Sequence, residues 1–219
     1  MSIRRDLVNS ALAVVLFTVI FGLVYPLAFT GVAQVLFPGK ADGSKIERNG
    51  TVVGSKLIAQ DFRKPVLARN GKPKVDANGK PVLVADPRYF QSRPSQTGYT
   101  PDITFFSNLG PNSADERDEV KANIAAYLAL EKRHDPGLTA SGVPADAVTQ
   151  SASGVDPHIS KANARIQAHR IAAVRHLPLA QVQKLIDDHT DGRFLGLFGE
   201  PGVNVLELNL AIDSAAPRA

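Results

Sequence analysis

The chain contains no cysteine and no tryptophan, and only five histidines are scattered along its 219 residues. A zinc knuckle or an iron–sulfur cluster needs clustered cysteine or histidine ligands, so the composition excludes both. Basic runs interleaved with aromatic residues are also missing, which removes the usual signature of a nucleic-acid-binding protein. No phosphate-binding loop of the G-x-x-x-x-G-K-[ST] type occurs. The lack of cysteine fits either redox compartment.

Charged residues and histidine are also missing from one long stretch, Leu7–Phe37, which covers 31 residues. About 20 apolar residues are enough to cross ~30 Å of hydrocarbon as a helix, so this stretch predicts a transmembrane anchor. Residues 7–25 form a core span that can cross alone, and Pro26 is expected to kink or end the helix. A cleaved signal peptide is the alternative, although its apolar region is usually only about 7–15 residues long.

The short tail before the anchor, residues 1–6, contains Arg4 and Arg5. Because positive charge close to a membrane span favours the cytoplasmic side, this tail predicts a cytoplasmic N-terminus and an extracytoplasmic domain over residues 38–219. The domain has about 180 residues, enough to bury one core of its own. Four cations that follow the anchor argue for the opposite orientation, namely Lys40, Lys45, Arg48 and Lys56.

The first half of the domain predicts hairpins. Asn49-Gly50 lies between two short β-prone runs within Ile46–Val53, which is typical of a type I′ turn. Residues 63–85 repeat the phrase Asn-Gly-Lys-Pro and contain six Lys or Arg against one Asp, which predicts a protruding hairpin-like loop. This loop is either a solvated insertion or a patch that contacts lipid headgroups or an acidic partner.

The second half of the domain predicts helices after a long polar loop at 90–112. Good N-terminal caps are found at Ser113, with Glu116 three residues later, and at Ser160. The first expected helix starts at Ser113 and ends before His134, the second runs from Ser160 to about His176, and the third runs from Pro178 to about His189 with Gly192 as its C-terminal cap. The final apolar phrase, Val203–Ile212, is either a strand or a short helix, and a helix is slightly favoured because Leu, Glu and Ala outnumber β-branched residues after Val205. The predicted fold class is therefore α+β, with a small antiparallel sheet early and several helices later.

Two clusters offer possible chemistry. Ser153, Asp156 and His158 supply the residue types of a membrane-tethered serine hydrolase, although no G-x-S-x-G nucleophile elbow supports this alternative. Asp156-Pro157 is equally a common way to open a turn. Arg193 begins a glycine-containing stretch that could approach a phosphate, but spaced glycines more often mark plain turns. His189 is better explained as a residue that caps its helix than as a ligand.

A series of short phrases, in the same order from end to end, resembles the C-subunit family of the bacterial Kdp-type potassium-transporting P-type ATPases. The matching phrases are Arg5-Asp-Leu with Asn9-Ser10, Tyr25-Pro26, Asp86-Pro-Arg-Tyr-Phe90, Ser92-Arg-Pro-Ser95, Ser107-Asn-Leu-Gly-Pro111, Ser153-Gly-Val-Asp-Pro-His-Ile-Ser160, His189-Thr-Asp-Gly-Arg193, Gly199-Glu-Pro and Val203-Asn-Val-Leu206. Residues 63–85 depart from the family pattern and are identified as an insertion.

The resemblance implies a non-catalytic, single-pass subunit of a high-affinity potassium uptake pump in the bacterial inner membrane. Its partners would be a channel-like potassium-binding subunit, the catalytic P-type ATPase subunit, a small single-helix subunit and the lipid bilayer. The resemblance also implies that the chain stabilises the assembly and raises the ATP affinity of the catalytic subunit. No cofactor is assigned to the chain itself, and ATP is expected to act through the catalytic partner.

The matching phrases also indicate which residues are candidates for contact with the partners. These are Asn9, Ser10, Tyr25 and Pro26 in the anchor, and Arg93, Asn108, Asp156, His158 and Arg193 in the domain. The resemblance gives no catalytic, metal-binding or nucleotide-binding residue.

Overall fold

The computed structural model describes residues 2–216. The chain divides into two compact units, Met1–Ser55 and Lys56–Ala219. The boundary lies after the first hairpin rather than directly after the anchor. The mixture of helices with small antiparallel sheets confirms the predicted α+β class.

The first unit begins with one continuous helical stretch, and it has no buried residue in its helices. Its parts are α1 (Ile3–Val19), a π-helical turn (Ile20–Val24) and α2 (Tyr25–Leu36). The 34-residue stretch Ile3–Leu36 is the one helix among residues 2–216 that is long and apolar enough to cross a membrane, and an 18-residue window within it has a mean hydropathy of 2.5. A helix that is apolar on all sides suits a lipid environment.

Pro26 does not end this helix, because the backbone stays helical to Leu36. Proline lacks an N–H donor, and its ring collides with the carbonyl group four residues earlier in a regular α-helix. The residue four positions earlier is Gly22, which lies in the wider π-helical turn. The irregularity expected at the proline is therefore found in the turn that precedes it.

A four-residue helix, α3 (Pro38–Ala41), leads from the anchor into a hairpin formed by β1 (Lys45–Arg48) and β2 (Thr51–Ser55). The turn between them places Asn49 at φ +53° and Gly50 at φ +76°. Two consecutive positive φ angles are the signature of a type I′ turn, so the Asn-Gly prediction is confirmed.

Residues 63–85 form a compact double turn between β3 (Arg63–Pro65) and β4 (Leu83–Ala85), which pair in antiparallel orientation. The eight-residue repeat places Val66, Lys74 and Val82 at equivalent positions. Their amides form a closed triangle, in which each N–H donates to the next carbonyl at 2.7 to 2.9 Å. Both Asn-Gly turns point outward, and residues 69–81 are exposed throughout. The expectation of a protruding hairpin-like loop is thus confirmed.

The second unit builds its main body from four helices and a three-stranded antiparallel sheet with the order β5–β7–β6. The elements are α4 (Ala114–Glu131), β5 (His158–Ile159), α5 (Lys161–Arg175), α6 (Leu179–Asp188), β6 (Thr190–Asp191), β7 (Gly202–Asn204) and α7 (Val205–Ala215), with single 3-10 turns at Ala140–Gly142 and Ala145–Ala147. Residues 90–112 contain no helix or strand, as the sequence predicted.

The core of this unit is formed mainly by α5, α6 and α7. Its buried side chains are Phe90, Ile159, Ala164, Ala168, Ile171, Ala172, Val182, Ile186, Val203, Val205, Leu208 and Ile212. A smaller cluster of Tyr127, Leu138 and Val148 packs under α4, together with the partly buried side chains of Val120, Ile124 and Leu128 from the same helix. The long loop contributes Phe90, which is fully buried. Apolar burial of this extent is the main source of stability in a domain of this size.

Local caps were predicted more accurately than strand positions. Ser113 and Ser160 accept hydrogen bonds from Glu116 N and Asn163 N, which confirms both N-caps. The Gly192 cap was wrong, because α6 ends at Asp188 with His189 as its C-cap, and β6 follows at once. The sheet was also expected only early in the chain, whereas the three-stranded sheet forms from late segments. Strands of two or three residues are too short to show a two-residue periodicity.

Candidate functional site

The Arg93 segment and the Asp156 segment, 63 residues apart in sequence, lie side by side in the second unit. Arg93 donates from Nη1 to the Asp156 carboxylate at 3.2 Å and from Nη2 to the Gln150 carbonyl at 3.1 Å. The Ser95 hydroxyl donates to the Gly154 carbonyl at 2.6 Å. Two of the phrases that resemble the Kdp family, Ser92–Ser95 and Ser153–Ser160, thus form one surface that is held together by side-chain contacts.

Gly154 makes this close approach possible. Its φ is +72°, and a Cβ atom added there would lie 2.8 Å from Thr97 Oγ1 and 3.2 Å from the Phe105 carbonyl oxygen. Both the backbone conformation and the space therefore require glycine. The position has a structural explanation, with no need to invoke flexibility for catalysis.

His158 extends the same network across the sheet. Its backbone N–H donates to Asp156 at 3.0 Å, and its Nε2 lies 3.2 Å from the carboxylate of Asp191 in β6. Gly202 lies in β7, between β5, which carries His158, and β6, which carries Asp191. A Cβ atom at Gly202 would come within 3.1 Å of the His158 side chain. The absence of a side chain at Gly202 lets the imidazole cross β7 and reach Asp191. The ring is partly exposed, so this network is accessible to a partner.

The arrangement does not assemble a serine hydrolase. The Ser153 hydroxyl accepts a hydrogen bond from Val155 N at 3.2 Å, and no hydrogen bond within residues 2–216 joins Ser153 to His158. The two imidazole nitrogens instead face carboxylates, at 3.9 Å from Asp156 and 3.2 Å from Asp191. An acyl-transfer nucleophile needs a base within hydrogen-bonding distance. Nothing in this geometry supports the hydrolase alternative.

A second polar network lies beneath this surface and fixes the phrase Asp86–Phe90. Arg170 of α5 is fully buried, and it pairs with buried Glu131 of α4 at 3.0 and 3.1 Å. The same guanidinium donates to the carbonyls of Pro87 and Tyr89. Burial raises the pKa of the Glu131 carboxyl, and Arg170 offsets only part of that effect. This network stabilises the fold and is not exposed to a substrate.

Residues at both ends of this phrase are also held by polar contacts. Asn209 of α7 accepts from Phe90 N at 2.8 Å and donates to the Phe90 carbonyl at 3.0 Å. Burial opposes ionisation of Asp86, but hydrogen bonds from Arg88 outweigh it and hold the pKa of this carboxyl below its ordinary value. The phrase is therefore structural, since its side chains complete the core between α4, α5 and α7.

An open pocket of about 330 Å³ lies beside the Arg93 surface. Tyr99 and Tyr127 are among the residues that line it, and burial raises the pKa of the Tyr99 hydroxyl to about 12. The lining carries one guanidinium, Arg63, which is already paired with Asp61, and one carboxylate, Glu119. Such a lining has no excess of positive charge with which to hold a triphosphate.

The other candidate residues lie apart from this network. Asn108 adopts φ +57° in the long loop and is exposed, and Arg193 pairs with Glu200 at 2.9 Å. Asn9 and Ser10 lie exposed on α1. The Tyr25 ring stacks on Phe29 with centroids 6.0 Å apart, directly before Pro26. The structure thus groups Arg93, Asp156 and His158 and leaves the remaining candidates separate.

Sequence reasoning missed Asp191, Gly202 and the Arg170–Glu131 pair. Asp191 and Gly202 come close to His158 only through the late three-stranded sheet, which was not predicted. Arg170 lies on α5 beside a row of small buried residues that includes Ala164 and Ala168. An arginine next to such an apolar row was the only sequence feature that could have indicated a buried charge. Its partner is 39 residues away, so no local spacing could identify it.

Comparison with known proteins decides the family. A family model described as "KdpC: K+-transporting ATPase, c chain" matches residues 7–214. The chain belongs to the KdpC family. Potassium-transporting ATPase KdpC subunits of three bacteria illustrate the similarity. That of Rhodospirillum rubrum is 46% identical over 212 residues, covering 94% of this chain and 96% of the relative. That of Streptomyces avermitilis is 44% identical over 203 residues (89% and 87%), and that of Koribacter versatilis is 39% identical over 216 residues (98% and 97%).

This chain is therefore similar to KdpC subunits along nearly its whole length, with the anchor and the domain both included. The resemblance drawn from the scattered phrases is confirmed. Membership of the KdpC family and the single apolar helix near the N-terminus together indicate an accessory subunit of a potassium-transporting ATPase, with one pass through the inner membrane.

Proposed function

We propose that this chain is a non-catalytic KdpC subunit that assembles and stabilises a potassium-uptake ATPase. The observation that supports this most strongly is the Arg93–Asp156–His158–Asp191 network. Residues from the phrases that resemble the Kdp family meet there in a partly exposed polar surface. In the same region the Ser153 hydroxyl is not aligned with the His158 imidazole. A surface of this kind suits recognition of another protein, because charged pairs that are partly exposed contribute to specificity and orientation.

The partners we propose are a channel-like potassium-binding subunit, a catalytic P-type subunit and a small single-helix subunit. The anchor would pack against their membrane helices. Asn9 and Ser10 would make polar contacts with those helices, and the irregular turn before Pro26 would fit against a complementary helix surface. The domain would lie outside the cytoplasmic membrane, because Arg4 and Arg5 favour a cytoplasmic N-terminus.

An effect on ATP affinity must then act at a distance. A domain outside the membrane cannot touch a nucleotide bound in the cytoplasm, so the effect would be a coupling free energy transmitted through the anchor or the partner subunits. Such couplings are typically about 1–3 kcal/mol, which corresponds to roughly 5- to 150-fold in affinity. The polar pocket beside Arg93, with its balanced charges, agrees with an indirect effect.

Two measurements test this proposal together. The ATP concentration dependence of hydrolysis is compared between the pump with and without this chain, and the purified full-length chain in detergent is titrated with ATP. We expect a lower apparent affinity for ATP without the chain and no saturable binding to the chain alone. Micromolar binding to the isolated chain would overturn the indirect mechanism and restore direct nucleotide contact.

Substitution of the serine separates this proposal from the hydrolase alternative. Ser153→Ala removes the only nucleophile that the hydrolase hypothesis names, and it leaves the Arg93–Asp156 pair in place. We expect potassium-limited growth to be close to that of the unmodified strain. Loss of growth with normal amounts of assembled complex would favour a covalent role for Ser153.

A further inference from the structure

The segment between β6 and β7 exposes four large apolar side chains on five consecutive residues. Phe194 is 71% exposed, Leu195 74%, Leu197 75% and Phe198 64%. Single exposed apolar residues are normal on protein surfaces, but a contiguous group of this size marks a site of contact. The network around His158 does not use these side chains.

This apolar loop, Phe194–Phe198, has a defined conformation. Phe194 N donates to the Phe198 carbonyl at 2.8 Å, and Phe198 N donates back at 3.0 Å. Leu197 N also donates to the Phe194 carbonyl at 3.2 Å, and Gly196 N donates to the carbonyl of Arg193, directly before the loop, at 3.0 Å. Leu195 adopts φ +53°, a conformation that few non-glycine residues accept. The apolar side chains are therefore held outward by an ordered turn.

The hydrogen bonding and the side chains of this loop together favour a lipid environment over a protein partner. Any backbone that enters hydrocarbon must satisfy its N–H groups internally, since no water is available there. Four of the five N–H groups between Phe194 and Phe198 do so. None of these five residues has a polar side chain that could make a directional contact with a protein. The flanking charges, Arg193 and Glu200, neutralise each other at the base of the loop.

The N-terminal anchor keeps the second unit, and therefore this loop, close to a bilayer. The apolar helix ends at Leu36, and the second unit begins at Lys56. The roughly 20 residues between them span at most about 70 Å when fully extended. A unit of this length has a radius of gyration of about 15 Å. Chain length therefore keeps every part of the second unit within reach of the membrane that holds the anchor, at high effective concentration.

We propose that the Phe194–Phe198 loop is a second membrane contact, which inserts its apolar side chains into the bilayer that holds the N-terminal helix. The interaction needs no particular lipid headgroup, because the loop carries no net charge. It would restrict the orientation of the second unit at the membrane surface even before partner subunits bind. The inference is independent of the proposed role in the pump, since it concerns the chain alone.

The natural sequence provides a clean probe because it has no tryptophan. Leu197→Trp introduces a single fluorophore at the tip of the loop, and the full-length chain is placed alone in lipid nanodiscs. Phe106→Trp is the matched control, at an exposed apolar position (42%) in the 90–112 loop. Quenching by lipids brominated on their acyl chains is compared with quenching by acrylamide in the water phase. Phe198→Trp repeats the measurement if Leu197→Trp alters the circular dichroism spectrum.

Brominated lipid should quench Leu197→Trp several-fold more strongly than Phe106→Trp, and acrylamide should quench it several-fold less. Equal quenching of the two variants by both agents would overturn the proposal. Protection of Leu197→Trp that appears only when partner subunits are added, without quenching by brominated lipid, would also overturn it, because the loop would then dock onto a protein.

Discussion

Replacement of Arg170 by methionine tests the buried network that holds the Asp86–Phe90 phrase in place. Arg170 is 0% exposed and its partner Glu131 is 1% exposed. Arg170→Met keeps most of the side-chain volume but leaves the Glu131 carboxylate without its countercharge. Breaking a buried pair from one side costs about 3–5 kcal/mol. The carbonyl groups of Pro87 and Tyr89 also lose a donor, so the upper part of that range is expected.

Thermal unfolding of the full-length chain in detergent, followed by circular dichroism, measures this loss. For a unit of this size each kcal/mol lowers Tm by about 2–4 °C, so a cost of about 4–5 kcal/mol for Arg170→Met should lower Tm by roughly 8–20 °C. Arg165→Met is the matched control on the same helix. The Arg165 side chain is 58% exposed and lies 3.9 Å from Asp187, and a pair of this kind is worth about 0–1 kcal/mol.

The stability loss caused by Arg170→Met should depend on pH in a direction set by the pKa of Glu131. Burial already raises the pKa of Glu131, and removal of Arg170 should raise it further. A carboxyl whose pKa is higher in the folded state favours folding at pH values below its unfolded pKa, and this contribution is lost as the pH rises through its folded pKa. The deficit of Arg170→Met should therefore shrink as the pH falls from 7 to 5.

A double variant completes the test. Arg170→Met combined with Glu131→Leu removes both charges, so it should recover much of the lost Tm and lose the additional pH dependence. A Tm within about 2 °C of the natural protein for the single variant, which corresponds to roughly 1 kcal/mol or less, would show that the buried pair does not hold this unit together. An equal loss in the single and double variants at every pH would also refute it.

Three further substitutions are tested by Tm or by recovery of the complex. Gly154→Ala should cost about 1–3 kcal/mol, because the position needs a positive φ and lacks space, whereas Gly142→Ala meets only ordinary contacts and should cost much less. Ser160→Ala should cost about 0.5–2 kcal/mol through loss of its N-cap, and more than Ser113→Ala, whose cap bond is longer at 3.4 Å. Arg93→Met should reduce recovery of the assembled pump more than it reduces Tm; a fall in Tm with normal recovery would contradict a role at the interface.

Structural features that depend on residues close together in the sequence could be predicted. The charge-free stretch gave the apolar helix, the Asn-Gly dipeptide gave the first hairpin, and Ser160 marked the start of α5. These features depend on backbone propensity and on neighbours in sequence, which a single chain displays directly.

Contacts between distant segments were not predictable in the same way. Asp191 meets His158 only because β7 brings β5 and β6 together, and each of these strands has two or three residues. Arg170 and Glu131 find each other through helix packing, which no local pattern specifies. The contacts divide the phrases that resemble the KdpC family into two groups: Asp86–Phe90 completes the core, whereas the phrases around Arg93 and Asp156 form the polar surface.

The proposed function requires the second unit for assembly of a working potassium pump. Its most direct test is a chain that keeps residues 1–55 and lacks residues 56–219, expressed with the other pump subunits. Recovery of the complex and potassium uptake at low external potassium are measured in parallel. We expect the truncated chain to reach the membrane, with little intact complex and weak uptake. Normal uptake by an intact complex would show that the second unit is not needed for assembly or transport.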